Sequence, residues 1–422
     1  MVYQLLLIGF LITLTFTVLL TPIVRRLALQ RGWVDRPDGQ RKLHARTIPA
    51  VGGLAIAAGV SVGLAYLHGV QDLLPFGFEL PPPVLWVGAF AMVAAGFYDD
   101  TRGLGFKGKF LVQVFAAYTL LYAGYRVDLS SLLPLGSDPY VHALISIPIT
   151  VLWIVGIINA VNLMDGLDGL AAGLVLIAFA CLALVFGLNG QVGLVTVAVI
   201  MGGALVGFLL YNFNPASIFM GDSGSMFLGY MLATYALEGK GHADPGLALL
   251  VPAVALGLPI LDTTLSIVRR ASEQKAVSAP DSDHIHHRLV RIWSHRRAVL
   301  ILYAAAAVFG TAAVMMSMLS PLYSVGVLVI VTLLAVLGIS QLKYLRRSYG
   351  SPALEPLSLP AEPQEQSDPA TYSYGSVAGD GGVQAVNLLA SDGFLALTDE
   401  ALEEARLLAT KQEQLKASGG AS

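Results

Sequence analysis

The segment Asn159-Ala-Val-Asn162-Leu-Met-Asp165-Gly166-Leu-Asp168-Gly169 places an oxygen-bearing side chain at every third residue. On an unbroken helix such positions drift by about 60° per step, because a turn takes about 3.6 residues. Asn159 and Asn162 can share one helix face, and Gly166 and Gly169 let the chain turn beyond it. Amide and carboxylate oxygens are hard ligands suited to Mg²⁺, which keeps several waters and also binds substrate phosphate. Helix capping with a glycine turn would account for one Asn and one Gly, not for the whole set.

Four more polar segments carry candidate chemistry: Arg41–Gly53, Asp99–Lys109, Asn212–Ser225 and Asp283–Arg288. Asp99 and Asp100 point different ways on a helix, so one can orient a cation while the other accepts a proton. Lys107 and Lys109 suit phosphate, or simply mark a basic loop. Gly221-Asp222-Ser223-Gly224-Ser225 has the small residues that let backbone N–H groups approach an anion at a helix start. Asp222 would repel phosphate unless a cation lay between them; Asp and Ser are also ordinary N-caps. His284, His286, His287 and Arg288 can donate hydrogen bonds to phosphate oxygens as charge develops. Structural zinc is a weaker reading, because Cys181 is remote and the other nearby histidine is His295. Arg41, Lys42 and His44 form a basic stretch that a positive-inside loop would also explain. Asp262 lies within an apolar stretch after Pro252 and Pro259. A membrane carboxylate is a functional suspect by default, though a satisfied structural Asp fits equally well.

The elements that must position these residues are membrane helices. The chain has 422 residues, 55% hydrophobic and only 13% charged, with a mean hydropathy of +0.70. A soluble domain carries about 25% charged residues, so an all-α polytopic membrane protein is expected. A span takes about 20 apolar residues. About eleven candidates occur near 3–24, 50–68, 82–98, 110–126, 140–161, 169–187, 191–211, 217–237, 246–268, 298–318 and 322–342. Twenty of the 25 Lys and Arg fall in loops 25–49, 99–109, 269–297 and 343–347. The positive-inside rule then puts the N-terminus outside, the C-terminus in the cytoplasm, and all five polar segments on the cytoplasmic face. The first span lacks a basic n-region and a cleavage site, so it reads as a retained helix. The single cysteine, Cys181, reads as a small buried hydrophobe. Residues 1–348 are read as the membrane domain. Residues 349–422 form a Pro-, Ser- and Gly-rich cytoplasmic tail, largely disordered by composition, with a short helix expected at 399–416.

Taken together, RKLHARTIPAVGG (Arg41–Gly53), FYDD (Phe97–Asp100), NAVNLMDGLDGLAAG (Asn159–Gly173), GDSGSMFLG (Gly221–Gly229) and HIHHRL (His284–Leu289) resemble the polyprenyl-phosphate N-acetylhexosamine-1-phosphate transferases. The chain is most similar to the bacterial undecaprenyl-phosphate GlcNAc-1-phosphate branch, whose His-Ile-His-His-Arg form it shares. The resemblance spans residues 1 to about 345. One departure is Thr47-Ile48-Pro49-Ala50, where the family commonly reads P-T-P. The resemblance implies transfer of GlcNAc 1-phosphate from UDP-GlcNAc to undecaprenyl phosphate in the inner or plasma membrane, releasing UMP and starting a lipid-linked cell-envelope glycan.

By that resemblance, Asn162 and Asp222 would contact Mg²⁺, with Mn²⁺ a substitute. Asp99 and Asp100 would act near the lipid phosphate, Asp99 as the favoured proton acceptor. Asp165 and Asp168 would shape the metal and nucleotide pocket. Lys42, His44, Lys107, Lys109, Asn159, Ser223, His284, His286, His287 and Arg288 would bind substrate. The expected partners are a polyprenyl phosphate, a UDP-N-acetylhexosamine and the membrane, with no nucleic acid; a homodimer is one arrangement open to it. The rival readings are another donor, such as UDP-MurNAc-pentapeptide, and a membrane transporter. Transporters keep buried charges at the midplane, whereas these acids sit at span ends.

Overall fold

The structure, a computed structural model, describes residues 2–35, 47–73, 82–127, 139–238, 249–275 and 284–348. The tail, and the short helix expected at 399–416, lie outside the described residues. So do Lys42, His44 and Asp283.

The described residues are almost entirely helical. In chain order they form α1 (Val2–Arg31), the two-residue strands β1 (Val34–Asp35) and β2 (Ile48–Pro49), α2 (Gly53–Val70), α3 (Pro83–Arg102), α4 (Gly105–Tyr122), α5 (Pro139–Met164), α6 (Leu170–Leu188) and α7 (Val192–Asn212). There follow α8 (Gly221–Leu237), α9 (Leu250–Ala255), α10 (Gly257–Ser272), α11 (Ile285–Val290), α12 (His295–Met318) and α13 (Pro321–Ser348). Seven of these helices, namely α1, α2, α5, α6, α7, α12 and α13, contain a stretch long and apolar enough to cross a membrane, as in a polytopic membrane protein. The third, fourth and eighth expected spans are the helices α3, α4 and α8, which carry polar residues at one end. The ninth is not one helix. It breaks at Leu256 into α9 and α10, and Pro252 and Pro259 flank the break, each lacking the N–H that an unbroken ladder needs.

The centre of the bundle is α8. Every residue from Ser223 to Ala236 is buried, as expected of a helix surrounded on all sides. Small residues make this possible, since they let helix backbones approach closely. A Cβ added at Gly53 of α2 would lie 2.0 Å from the Gly224 backbone nitrogen, and one at Gly96 of α3 would lie 2.3 Å from that of Ser223. Buried hydroxyls of α8 find carbonyl partners on the same or a neighbouring helix. Thr234 donates to the Tyr230 carbonyl at 2.8 Å, and the Tyr230 hydroxyl reaches the Leu85 carbonyl at 2.9 Å.

The start of α8 is fixed by the short antiparallel ribbon, in which Val34 pairs with Pro49 and Asp35 with Ile48. Phe219 N–H donates to the Pro49 carbonyl at 2.7 Å, while Gly52 and Gly53 N–H donate to the Phe219 and Met220 carbonyls at 2.9 and 2.8 Å. Gly221 then opens the helix with φ +71°, and any Cβ there would come within 2.0 Å of the Ala50 carbonyl oxygen. Only glycine meets both conditions.

Candidate active site

All five polar segments reach a single cavity of about 950 Å³, lined by Asp100, Asp165, Asp168, Asp222 and His287 together with Arg25, Asp35, Asn212, Asn214 and His295. The residues of Arg41–Gly53 that reach it are Thr47 to Ala50, on the ribbon. Each acid is held differently. Asp100, near the end of α3, accepts the backbone N–H of Asp222 at 2.7 Å on one oxygen and that of Ser223 at 3.0 Å on the other. It thereby caps α8 from a neighbouring helix. Asp99 accepts the Leu104 N–H at 2.8 Å and pairs with the Lys109 ammonium at 2.7 Å. Lys109 also pairs with Asp222, bridging the two carboxylates.

Asn162, near the end of α5, donates to Asp222 Oδ1 at 2.9 Å and to Ser225 Oγ at 2.9 Å. The two residues assigned from the sequence to one cation are therefore direct neighbours, although 60 positions apart. Asp168 accepts from the Asn214 side-chain amide at 2.8 Å and the Ala216 N–H at 3.0 Å. Asn212 completes the clamp. Its oxygen accepts the Gly169 N–H at 3.1 Å, and its amide donates to the Ile218 carbonyl at 3.0 Å.

Asp165 differs from the other four. It sits in the turn after α5, lines the cavity, and is the one acid of the five with no hydrogen bond among the described residues. Burial, and then the negative charges of Asp222, Asp100 and Asp168, push its carboxyl up to about 8. A cluster of like charges in a partly desolvated cavity favours a bound cation or a retained proton.

The remaining residues divide. Asn159 donates to Gln113 Oε1 at 2.8 Å, joining α5 to α4 outside the cavity lining. Ser223 is fully buried, and it is its backbone N–H that meets Asp100. Lys107 is exposed and makes none of these contacts. Of the histidine segment, His287 lines the cavity; His284 and His286, 4% and 1% exposed, turn into protein instead, and Arg288 is not among the lining residues. Burial, then the neighbouring His287, push the His286 ring down to about 3, so it is neutral.

Sequence reasoning did not assign Arg25, Asp35, Asn212, Asn214 or His295 to the cavity. Asn212 and Asn214 lay inside a segment already singled out, so their amides were a usable signal. Arg25, whose Nε donates to the Ser217 carbonyl at 3.0 Å, was indistinguishable from an ordinary positive-inside residue.

The description of glycosyl transferase family 4 matches residues 82–240. This chain is 39% identical over 310 residues, 73% of its own length and 84% of the relative's, to a probable undecaprenyl-phosphate N-acetylglucosaminyl 1-phosphate transferase of Bacillus subtilis. It is 39% identical over 305 residues (66% of this chain, 74% of the relative) to a decaprenyl-phosphate N-acetylglucosaminephosphotransferase of Mycobacterium tuberculosis. A third relative, the undecaprenyl-phosphate alpha-N-acetylglucosaminyl 1-phosphate transferase of Escherichia coli, is 29% identical over 311 residues, 71% and 81% of the two chains. The chain belongs to glycosyl transferase family 4, and within it to the phosphotransferases of this kind.

Proposed function

We propose that the protein transfers N-acetylglucosamine 1-phosphate from UDP-GlcNAc to a polyprenyl phosphate, releasing UMP at the cytoplasmic face of the inner or plasma membrane. The observation that carries this reading is the 2.9 Å contact between Asn162 and Asp222 beside a cavity that five aspartates line. The names of the three relatives, in three genera, and the His-Ile-His-His-Arg sequence support N-acetylglucosamine as the sugar. Undecaprenyl phosphate is the acceptor named for two of the three, and decaprenyl phosphate for the other.

The donor set fits Mg²⁺. Among the described residues no three Asp, Glu, His or Cys side chains converge as a ready-made ligand set. Asp222 and the Asn162 amide, turned to present its oxygen, would hold the ion, and diphosphate and water would complete it, as Mg²⁺ sites commonly arrange. When bound, it would neutralise charge on the diphosphate, which is most of what phosphoryl transfer requires.

The protein's own groups supply the rest. A lipid phosphate oxygen forms a bond to the β-phosphorus, and the bond from that phosphorus to the bridging oxygen breaks, with UMP leaving. Asp99 and Asp100 have their oxygens engaged by N–H groups and Lys109, which makes them positioning groups. Asp165 has no hydrogen bond among the described residues and a raised affinity for protons, so we assign its ionised form, rather than the Asp99 that the sequence favoured, to take the proton of a lipid phosphate monoanion. Lys109, released from Asp222, would neutralise a phosphate oxygen. The test is UMP release by purified protein with polyprenyl phosphate and each of several UDP-sugars. Release with UDP-GlcNAc that requires both lipid and Mg²⁺ supports the reading; release only with another donor overturns the sugar, and none with any donor overturns the function.

A further inference from the structure

Asp262 stood apart from the chemistry in the sequence, and no role above uses it. It lies on α10, only 2% exposed, well away in sequence from the histidines it meets. One of its oxygens accepts the ring N–H at His284 Nδ1 at 2.8 Å, and the other accepts the Ile285 backbone N–H at 2.8 Å. Both His284 and Asp262 are almost fully buried, and a buried carboxylate is tolerated when its partners satisfy it.

The helix held this way, α11, is only six residues long. A single such turn has little stability of its own, so its pose depends on what it is fastened to. Its apolar side, Ile285 and Leu289, packs with Met164 and Leu167, the residues on either side of the Asp165 turn. His286 presses on that turn directly, for a Cβ at Gly166 would come within 2.4 Å of its Nε2. Neither ring nitrogen of His286 has a hydrogen-bond partner among the described residues, and the ring stacks on that of His284 with 5.5 Å between centroids. With both of these rings committed to protein, His287 is the histidine of the three that faces the cavity.

We propose that Asp262 and His284 form a buried positioning pair that seats α11, so that His284 and His286 anchor the helix while His287 meets the nucleotide sugar. The pair acts through His287 and does not touch substrate. The identity of that substrate rests on the function proposed above.

Two asparagine variants separate this from direct contact. Asn in place of His284 can donate from Nδ2 to Asp262, and Asn in place of Asp262 can accept from Ile285 while donating to the other His284 tautomer. Asp262→Ala and His284→Ala each leave buried partners unpaired and should raise the KM for UDP-GlcNAc by about tenfold or more, with kcat and the KM for lipid phosphate little changed. Asp262→Asn and His284→Asn should recover to within about threefold of the wild type, because they keep the hydrogen bonds. In parallel, amide hydrogen exchange across 285–291 should accelerate in the two Ala proteins and stay near wild type in the two Asn proteins. Asn variants as impaired as the Ala variants, or Ala variants with an unchanged KM, overturn the proposal. If the Ala proteins fail to accumulate, a folded His284→Asn protein that has lost turnover overturns it alone, and one that retains turnover supports it. A wild type that releases no UMP refutes the functional reading only, and the exchange measurement still decides the anchoring.

Discussion

Gly96→Ala adds one methyl group to α3, one turn before the Asp99–Asp100 pair, and its consequence follows from backbone geometry. The new Cβ would lie 2.3 Å from the Ser223 backbone nitrogen and 2.4 Å from the Asp222 carbonyl carbon and oxygen. All three neighbours are main-chain atoms of the first turn of α8, so no rotamer change relieves the overlap. Ordinary contact begins near 3.4 Å, so α3 and α8 must separate locally by about 1 Å, the kind of misplacement that can cost roughly 100-fold in rate. The hydrogen bonds from Asp222 and Ser223 to Asp100, 2.7 and 3.0 Å long, stretch by the same amount. The assay is UMP release in detergent, normalised to monodisperse protein. Gly156→Ala is the matched control, because nothing lies within 4 Å of its Cβ position on α5; it should leave turnover unchanged. A folded Gly96→Ala protein with more than about a third of wild-type turnover would show that the close approach does not set the position of Asp222 and would refute the reasoning.

Asn162→Ala and Asp222→Ala should each lower turnover by about a thousandfold or more while the protein remains inserted, since removing a metal donor or its partner leaves little to neutralise the diphosphate; Mn²⁺ binding followed by electron paramagnetic resonance should weaken in parallel, and undiminished binding would contradict their metal role. Lys109→Gln removes the cation that Asp99 and Asp222 share; it should slow UMP release while tightening metal binding, and weaker metal binding would argue against the competition. The raised carboxyl of Asp165 has a stability consequence with a definite sign. Its folded value of about 8 exceeds the ordinary 3.8, so the folded state holds this proton more tightly than the unfolded chain. That contribution is fully present below about pH 4 and is lost as pH rises through about 8. Thermal unfolding in chelator should therefore show stability falling from about pH 4 to about pH 8 and levelling above it, a fall that Asp165→Asn removes; an identical fall in that variant would assign it to another group.

The helical membrane architecture and most of the cavity's acids were legible in the sequence, because both are written in local patterns. Long apolar runs point to membrane spans, and carboxylates at their ends must face water or a cation. Asp100, Asp165, Asp168, Asp222 and His287 all reach the cavity that this pattern implied. What the pattern could not convey was which group each side chain engages. Asp99, Asp100, Asp165 and Asp168 look alike in one dimension. Only the packed helices make one a cap of α8, one a partner of Lys109, one a clamp on the 214–216 turn, and leave Asp165 without a hydrogen bond among the described residues. The histidines divide for the same reason: Asp262, near the broken ninth span, draws His284 inward, and this sets which face of α11 meets the cavity. Composition and spacing thus determined the solvent and the chemistry available, since these depend on residue type and on neighbours a few positions away. The partner of each charge was decided by the tertiary structure, because those partners lie as far as 192 positions apart in the chain, and several meet where glycines let helix backbones touch.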